Sequence, residues 1–316
     1  MIDAAIVGLG RWGRGLVDSV QAKSDKLRFV IGVEPAMDGA REFAAKHHFR
    51  LVSALDEALA DLSHGAVVLA TPHSLHRPQV LAAARAGKHV FCEKPLALTR
   101  ADAEAMLQAC ARASVVLGVG HNRRWWPAMR ELKALVESGR LGTLLHLEGH
   151  NSNENSNAVT GGWRTLESES PGGGMTGAGL HALDAMVGIA GPVKRVRAQF
   201  ISRKPPPAPH DTVSALLEFD SGVSGLLATV RATPFYWRVH AFGTLGNAEV
   251  LDETGLVLRM SGRPLERRTL AAADSLRAEL EAFADAAEGR APFPVTPAQM
   301  LDTVAAFESV LEALRA

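Results

Sequence analysis

The segment SPGGGMTGAGLHALD, residues 170–184, sets a single imidazole, His181, among glycines that supply no side chains. Glycine in a helix or strand costs backbone entropy, so a run of them marks a place where the backbone must pass close to something. A bound ligand and a tight helix entry are the two candidates. A second stretch, HVFCEKPLALT, ends a short apolar run with Glu93, Lys94 and Pro95. The residue before a proline is held extended, and an ammonium presented this way can lower the pKa of a hydroxyl or polarise a carbonyl. A third, AIVGLGRWGRG, places Gly8, Gly10 and Gly13 after one apolar run and at the entrance of a helical one. In that context Gly8 permits a tight turn, Gly10 admits a pyrophosphate to the backbone, and Gly13 lets helix and strand pack closely. The helix N-terminus then donates N–H groups to the phosphates. Glu34 follows 21 residues after Gly13. An acid there accepts ribose hydroxyls and repels a 2′-phosphate. NAD is therefore favoured over NADP, which Arg41 nearby keeps open.

The elements that must position these groups follow from the apolar pattern. AAIVG, LRFVIGV, AVVLAT, KHVFCE and SVVLGVG are short and branched, as strands buried on both faces should be. Amphipathic stretches separate them, and the alternation predicts a parallel sheet with helices on both faces over residues 1–121. Beyond it, PAMRELKALVESGRLG reads as a helix closed by Gly139 and Gly142. TLLHLEGHN, VKRVRAQFIS, TVSALLEF, VSGLLATVRA, RVHAFGT, NAEVLD and GLVLRM then read as strands separated by turns. SRKPPPAPHD is a stiff connection between two of them, and helices near 274–288 and 298–314 close the chain. The expected fold class is α/β: an N-terminal Rossmann dinucleotide-binding domain, residues 1–121, and a C-terminal α+β domain, residues 122–316, with an open, largely antiparallel sheet.

Composition narrows the partners. The 316 residues are 47% hydrophobic, with 34 basic and 34 acidic side chains. A chain without net charge projects no long-range field to recruit nucleic acid or an anionic membrane, so neither partner is expected. No apolar run approaches the roughly 20 residues that span a bilayer. The first residues lack the pattern of a secretory signal, and a cytoplasmic location is the simplest expectation. Cys92 and Cys110 form no metal-ligand spacing, and no metal site is expected.

Taken together, GLGRWG, ATPHSLH, AGKHVFCEKPLA, GHNRRW and GGGMTGAGLHALD resemble the Gfo/Idh/MocA family, the oxidoreductases related to glucose-fructose oxidoreductase and inositol dehydrogenase. The resemblance implies that Gly8, Gly10 and Gly13 cradle the pyrophosphate, with Arg11 and Trp12 in the same loop and Glu34 on the ribose. It implies that Thr71, Pro72 and His76 lie along the cofactor, and that Glu93 and Lys94 lie near the nicotinamide ribose, Lys94 also reaching the reacting oxygen. The Lys94-Pro95 bond is often cis in such proteins. Asn122 would face the nicotinamide and Arg123 the substrate. Trp163 and Arg164, in a polar loop, suit a polyol or sugar ring. The glycine run resembles the family's GGxLxDxGxHxxD signature, with His181 at the usual histidine and Asp184 at the closing acid. Gly177 stands where that pattern has its catalytic-site aspartate.

The activity so implied is hydride transfer between a carbohydrate or cyclitol-like hydroxyl and NAD(P). His181 would accept the proton, with Lys94 as its electrostatic partner. A redox-neutral hydrolase or lyase that uses NAD transiently, and a non-catalytic dinucleotide sensor, are the alternatives. A homodimer or homotetramer formed through the second-domain sheet is the expected assembly.

Overall fold

In the computed structural model the described residues are 1–153, 162–203, 211–231 and 233–315. Most of the polar loop before Trp163, and most of the proline-rich connection, lie outside them.

Six strands make the first sheet: β1 (Ile2–Val7), β2 (Leu27–Val33), β3 (Arg50–Val52), β4 (Ala66–Leu69), β5 (His89–Glu93) and β6 (Leu117–Gly120). All are parallel, in the order β3-β2-β1-β4-β5-β6. The order reverses direction at β1, and in such sheets ligands bind beyond the carboxyl ends of the strands at the switch point. Helices α1 (Arg11–Val20), α2 (Arg41–Lys46), α3 (Leu55–Leu59), α4 (His73–Arg85) and α5 (Arg100–Arg112) connect the strands. Strand β3 is absent from the apolar pattern because it is only three residues long.

The second sheet has eight strands: β7 (Leu144–Ser152), β8 (Val193–Ser202), β9 (Asp211–Phe219), β10 (Ser224–Val230), β11 (Tyr236–Gly243), β12 (Gly246–Val250), β13 (Gly255–Met260) and β14 (Glu266–Thr269). Their order is β14-β13-β12-β11-β7-β10-β9-β8. Every pair is antiparallel except β7 with β10. Helices α6 (Pro127–Glu137) and α7 (Leu180–Ala190) accompany this sheet. Helix α7 is buried along nearly its whole length. It sits so close to β7 that a Cβ on Gly149 would come within 2.6 Å of the Met186 sulfur.

Two helices close the chain, α8 (Ser275–Ala287) and α9 (Pro297–Ala313), and α8 packs with the first sheet's residues. The chain separates into one unit of Met1–Asn122 with Asp274–Met300, and a second of Arg123–Ala273 with Leu301–Ala316. The reason lies in an aromatic cluster of the first unit. Phe283 of α8 packs edge-on to Phe91 of β5 with centroids 5.6 Å apart, and Phe293 meets the same ring at 6.5 Å. Gly118 of β6 leaves the room: a Cβ there would lie 3.1 Å from both Phe91 and Phe283. An apolar helix face announces that it will be buried, not which sheet will bury it.

Candidate functional site

In the first unit the glycine loop has the geometry its spacing predicts. Gly8 takes φ +91°, and a Cβ there would lie 2.7 Å from the Ala70 carbonyl oxygen. At Gly13 a Cβ would fall 1.9 Å from the Gly8 carbonyl oxygen, so the turn and the first helical turn close only without one. Gly10 is different: a Cβ there meets nothing within 4 Å. No side chain caps α1 at Gly10, which leaves the first-turn N–H groups directed outward. Arg11 is exposed, and the buried Trp12 indole nitrogen has no hydrogen-bond partner.

Glu34 is tied into this loop. Its Oε2 accepts the Leu9 N–H at 2.9 Å and its Oε1 the Ala36 N–H at 3.2 Å. A carboxylate has about four acceptor positions, so two remain for hydroxyl donors while the backbone fixes the group. An uncapped helix start, open space at Gly10 and a fixed acid beside them fit a dinucleotide.

Beyond β4, the Thr71 hydroxyl donates to Gln79 Oε1 at 2.6 Å, and Pro72 immediately precedes α4. His76 follows in the first turns of α4. It is fully buried. Its Nδ1 lies 2.8 Å from the Pro95 carbonyl oxygen and its Nε2 3.2 Å from that of Thr71. The ring thus ties the start of α4 to the segment after β5, where the Lys94-Pro95 bond is cis. Glu93 is buried at the end of β5 and lies over Gly120, where a Cβ would come 2.5 Å from its Oε1. The Lys94 N–H donates to Glu93 Oε2 at 3.2 Å. Asn122 donates to the Ser275 hydroxyl at 3.2 Å.

The second unit explains the glycine run. Gly173 takes φ +56°, and a Cβ there would lie 2.7 Å from Asp211 Oδ2; Asp211 Oδ1 accepts the Gly174 N–H at 3.1 Å. Asp211 also pairs with Arg231 at 3.1 Å. Burial raises its carboxyl above the usual range against the pull of Arg231. Gly179 makes room for Met175 and Thr229. Close packing on the sheet therefore accounts for most of the run. Gly177 is the exception, exposed and with open space where a Cβ would stand.

Between the run and α7 the chain makes a π-turn, Met175–Gly179, in which the Leu180 N–H reaches back five residues to the Met175 carbonyl. Such turns insert an extra residue into a helix and occur often at functional sites. His181 stands one residue into α7 and is buried to 7% exposure.

Asp184, the closing acid of the glycine-run segment, is held by an ion pair. It is 2% exposed, and its two oxygens accept from Arg124 Nε at 2.8 Å and Nη2 at 2.7 Å. Thr303 Oγ1 adds a third bond at 3.2 Å. The pair anchors α7. Arg124, overlooked in the doubled arginine of GHNRRW, is thus a structural residue. Arg123 beside it lies over the rings of Trp126 and Trp237, 4.4 and 4.6 Å from their centroids. Its buried Nε and Nη1 have no hydrogen-bond partner. Burial lowers its pKa to about 10, with Glu253 pulling the other way. Arg164 stacks on Trp163, its guanidinium carbon 4.1 Å from the ring centroid.

Two family models match the chain. Residues 2–121 match an oxidoreductase family with an NAD-binding Rossmann fold, and residues 129–249 match the GFO/IDH/MocA C-terminal domain. A 1,5-anhydro-D-fructose reductase from Ensifer adhaerens is 31% identical over 277 residues, covering 83% of this chain and 73% of the relative. A 2,7-anhydro-N-acetylneuraminate hydratase from Escherichia coli K12 is 28% identical over 274 residues, covering 83% of this chain and 71% of the relative. Other curated relatives, the first of the matches among them, are spanned over about half their length. The structure of a levoglucosan dehydrogenase in complex with NADH and levoglucosan superposes with a TM-score of 0.89 at 22% identity, over 99% of this chain and 97% of that one. That likeness is one of fold. The family models, the Ensifer relative and the glycine loop closed on Glu34 agree, and the chain belongs to the Gfo/Idh/MocA family of NAD(P)-dependent oxidoreductases.

Proposed function

We propose that the protein is a cytoplasmic NAD-dependent dehydrogenase acting on a hydroxyl of a carbohydrate or cyclitol-like substrate. The observation that carries the reading is Glu34, held by two backbone N–H groups at the glycine loop. A fixed carboxylate there favours ribose hydroxyls and opposes a 2′-phosphate. Gly8, Gly10 and Gly13, with Arg11 and Trp12, hold the pyrophosphate. Thr71, Pro72, Glu93 and Asn122 line the nicotinamide end. When bound, NAD supplies the hydride acceptor. Lys94 places positive charge on the reacting oxygen and favours the alkoxide. His181 accepts the hydroxyl proton. Arg123, Trp163 and Arg164 contact the substrate, their ring faces and guanidinium donors suiting a polyol.

The exposed face of the second sheet supports self-association as a homodimer or homotetramer. Leu216 and Leu226, cross-strand partners on β9 and β10, are 59% and 38% exposed. Paired apolar side chains left in water favour a second copy.

Binding of NAD and NADP, followed by a polyol and sugar panel read at the nicotinamide absorbance, tests the function. NADH formed only when substrate is present is the expected result. The hydratase relative favours a second reading, a redox-neutral reaction. Product formed without net NADH would select it, and dinucleotide binding with no product at all would leave a sensor.

Gly177 gives a separate prediction. With open space for its Cβ and no left-handed backbone, Gly177→Asp should fold with a stability change within about 1 kcal/mol, since glycine is itself a poor helix residue. The added carboxylate restores the acid of the family pattern, and faster turnover is expected. Thermal melts and steady-state rates on the same preparation check both halves.

A further inference from the structure

The π-turn before His181 is held from outside the helix. Asn151 lies on β7, on the face that also carries Gly149 against Met186 of α7. It is completely buried. Its side-chain Nδ2 donates to the Ala178 carbonyl at 2.8 Å, three residues before His181. Its Oδ1 is buried and has no hydrogen-bond partner among the described residues. Among the described residues the amide is oriented by this one bond: turned the other way, it would set oxygen against oxygen. Two further contacts brace the same turn, the Thr176 hydroxyl donating to the Pro171 carbonyl and the Gly174 N–H donating to Asp211.

A π-turn departs from the regular helical hydrogen-bond ladder, and its buried backbone groups need partners from elsewhere. The Asn151 amide supplies one such partner, to the Ala178 carbonyl. His181 follows the last residue of this turn by two positions, in the first turn of α7.

We infer that Asn151 is a positioning residue for His181: a strand-borne amide that fixes the π-turn through the Ala178 carbonyl and so sets the direction of the imidazole. The inference rests on the proposed role of His181 as proton acceptor, but its decisive readout does not need turnover.

The test compares Asn151→Leu and Asn151→Asp with the wild-type full chain. Imidazole resonances are followed by NMR against pH, with the His181 signal identified by its loss in His181→Gln. Leucine keeps the volume and removes the donor. Aspartate differs from the native side chain by one group, removes the donor when ionised, and regains one when protonated; burial raises the pH at which that happens. The expected result is a His181 titration midpoint displaced by about half a unit or more in both variants, and return of the His181 signal toward wild type on acidifying Asn151→Asp. Should the leucine variant lose its fold, the aspartate variant carries the test alone. Where the substrate panel yields turnover, kcat should fall about 10-fold with KM for NAD unchanged, as for an interaction felt only in the transition state. His181 resonances that superimpose on wild type in a folded variant would overturn the inference. So would a displacement that acidification of Asn151→Asp leaves in place, because the donor to Ala178 would then not be its cause. A failed substrate panel with displaced His181 signals would sink the dehydrogenase reading and leave the positioning role intact.

Discussion

His181→Ala should bind NAD as tightly as the wild type and lose about 10²- to 10⁴-fold in turnover, the usual contribution of a positioned general base. The two halves of that result follow from where the residues lie. The groups proposed for the pyrophosphate and ribose, from Gly8 to Glu34, belong to the first unit, whereas His181 belongs to the second. Removing an imidazole near the start of α7 leaves the glycine loop and the Glu34 contacts unchanged. The loss should fall on kcat, with KM for NAD held, because proton acceptance is an interaction of the transition state. Equilibrium NAD binding and steady-state rates on one preparation check the prediction. Wild-type hydride transfer in His181→Ala would remove His181 from the reaction, and weakened NAD binding would make it a structural residue.

Groups whose meaning is local were legible in the sequence. Gly8, Gly10 and Gly13 could be assigned separate tasks because a strand, a turn and a helix start lie within a dozen residues, and Gly8 and Gly13 meet the contacts those tasks require. Glu34 was placed by spacing alone. What escaped was set by partners distant in the chain. Strand β14, Glu266–Thr269, is all polar, and its pairing with β13 makes it a strand. His76 sits in a motif that suggests ligand contact, but carbonyls at residues 71 and 95 hold its ring. The glycine run left ligand approach and tight packing open, and Asp211, 37 residues beyond Gly174, decides for packing at Gly173 and Gly174. Asn151 carried no signal at all, since an asparagine near the end of a strand has no pattern of its own.

The same distinction governs the largest expected effect on stability. Arg124→Met should destabilise the second unit by about 3–5 kcal/mol, the range for removing one partner of a buried pair. The side chains of Arg124 and Asp184 are 14% and 3% exposed and joined by two parallel bonds. Burial works against the Arg124 charge, but the charge and hydrogen bonds of Asp184 outweigh it, holding the guanidinium above its ordinary range. Gly188 belongs to the same arrangement, for a Cβ there would lie 3.1 Å from the guanidinium carbon. With methionine at 124, Asp184 loses both guanidinium bonds, and the Thr303 hydroxyl that stays with it is a neutral group. Asp184→Leu alone removes the same two bonds from the guanidinium. Combining the two substitutions should recover much of the loss, because apolar side chains of similar volume often replace a buried ion pair at little cost. Urea unfolding of the two single variants and the double closes the cycle. Additive losses would show that Arg124 and Asp184 act independently; recovery in the double variant would establish Asp184 as the counter-charge of Arg124, and that α7 is held in place, with His181 upon it, through that pair.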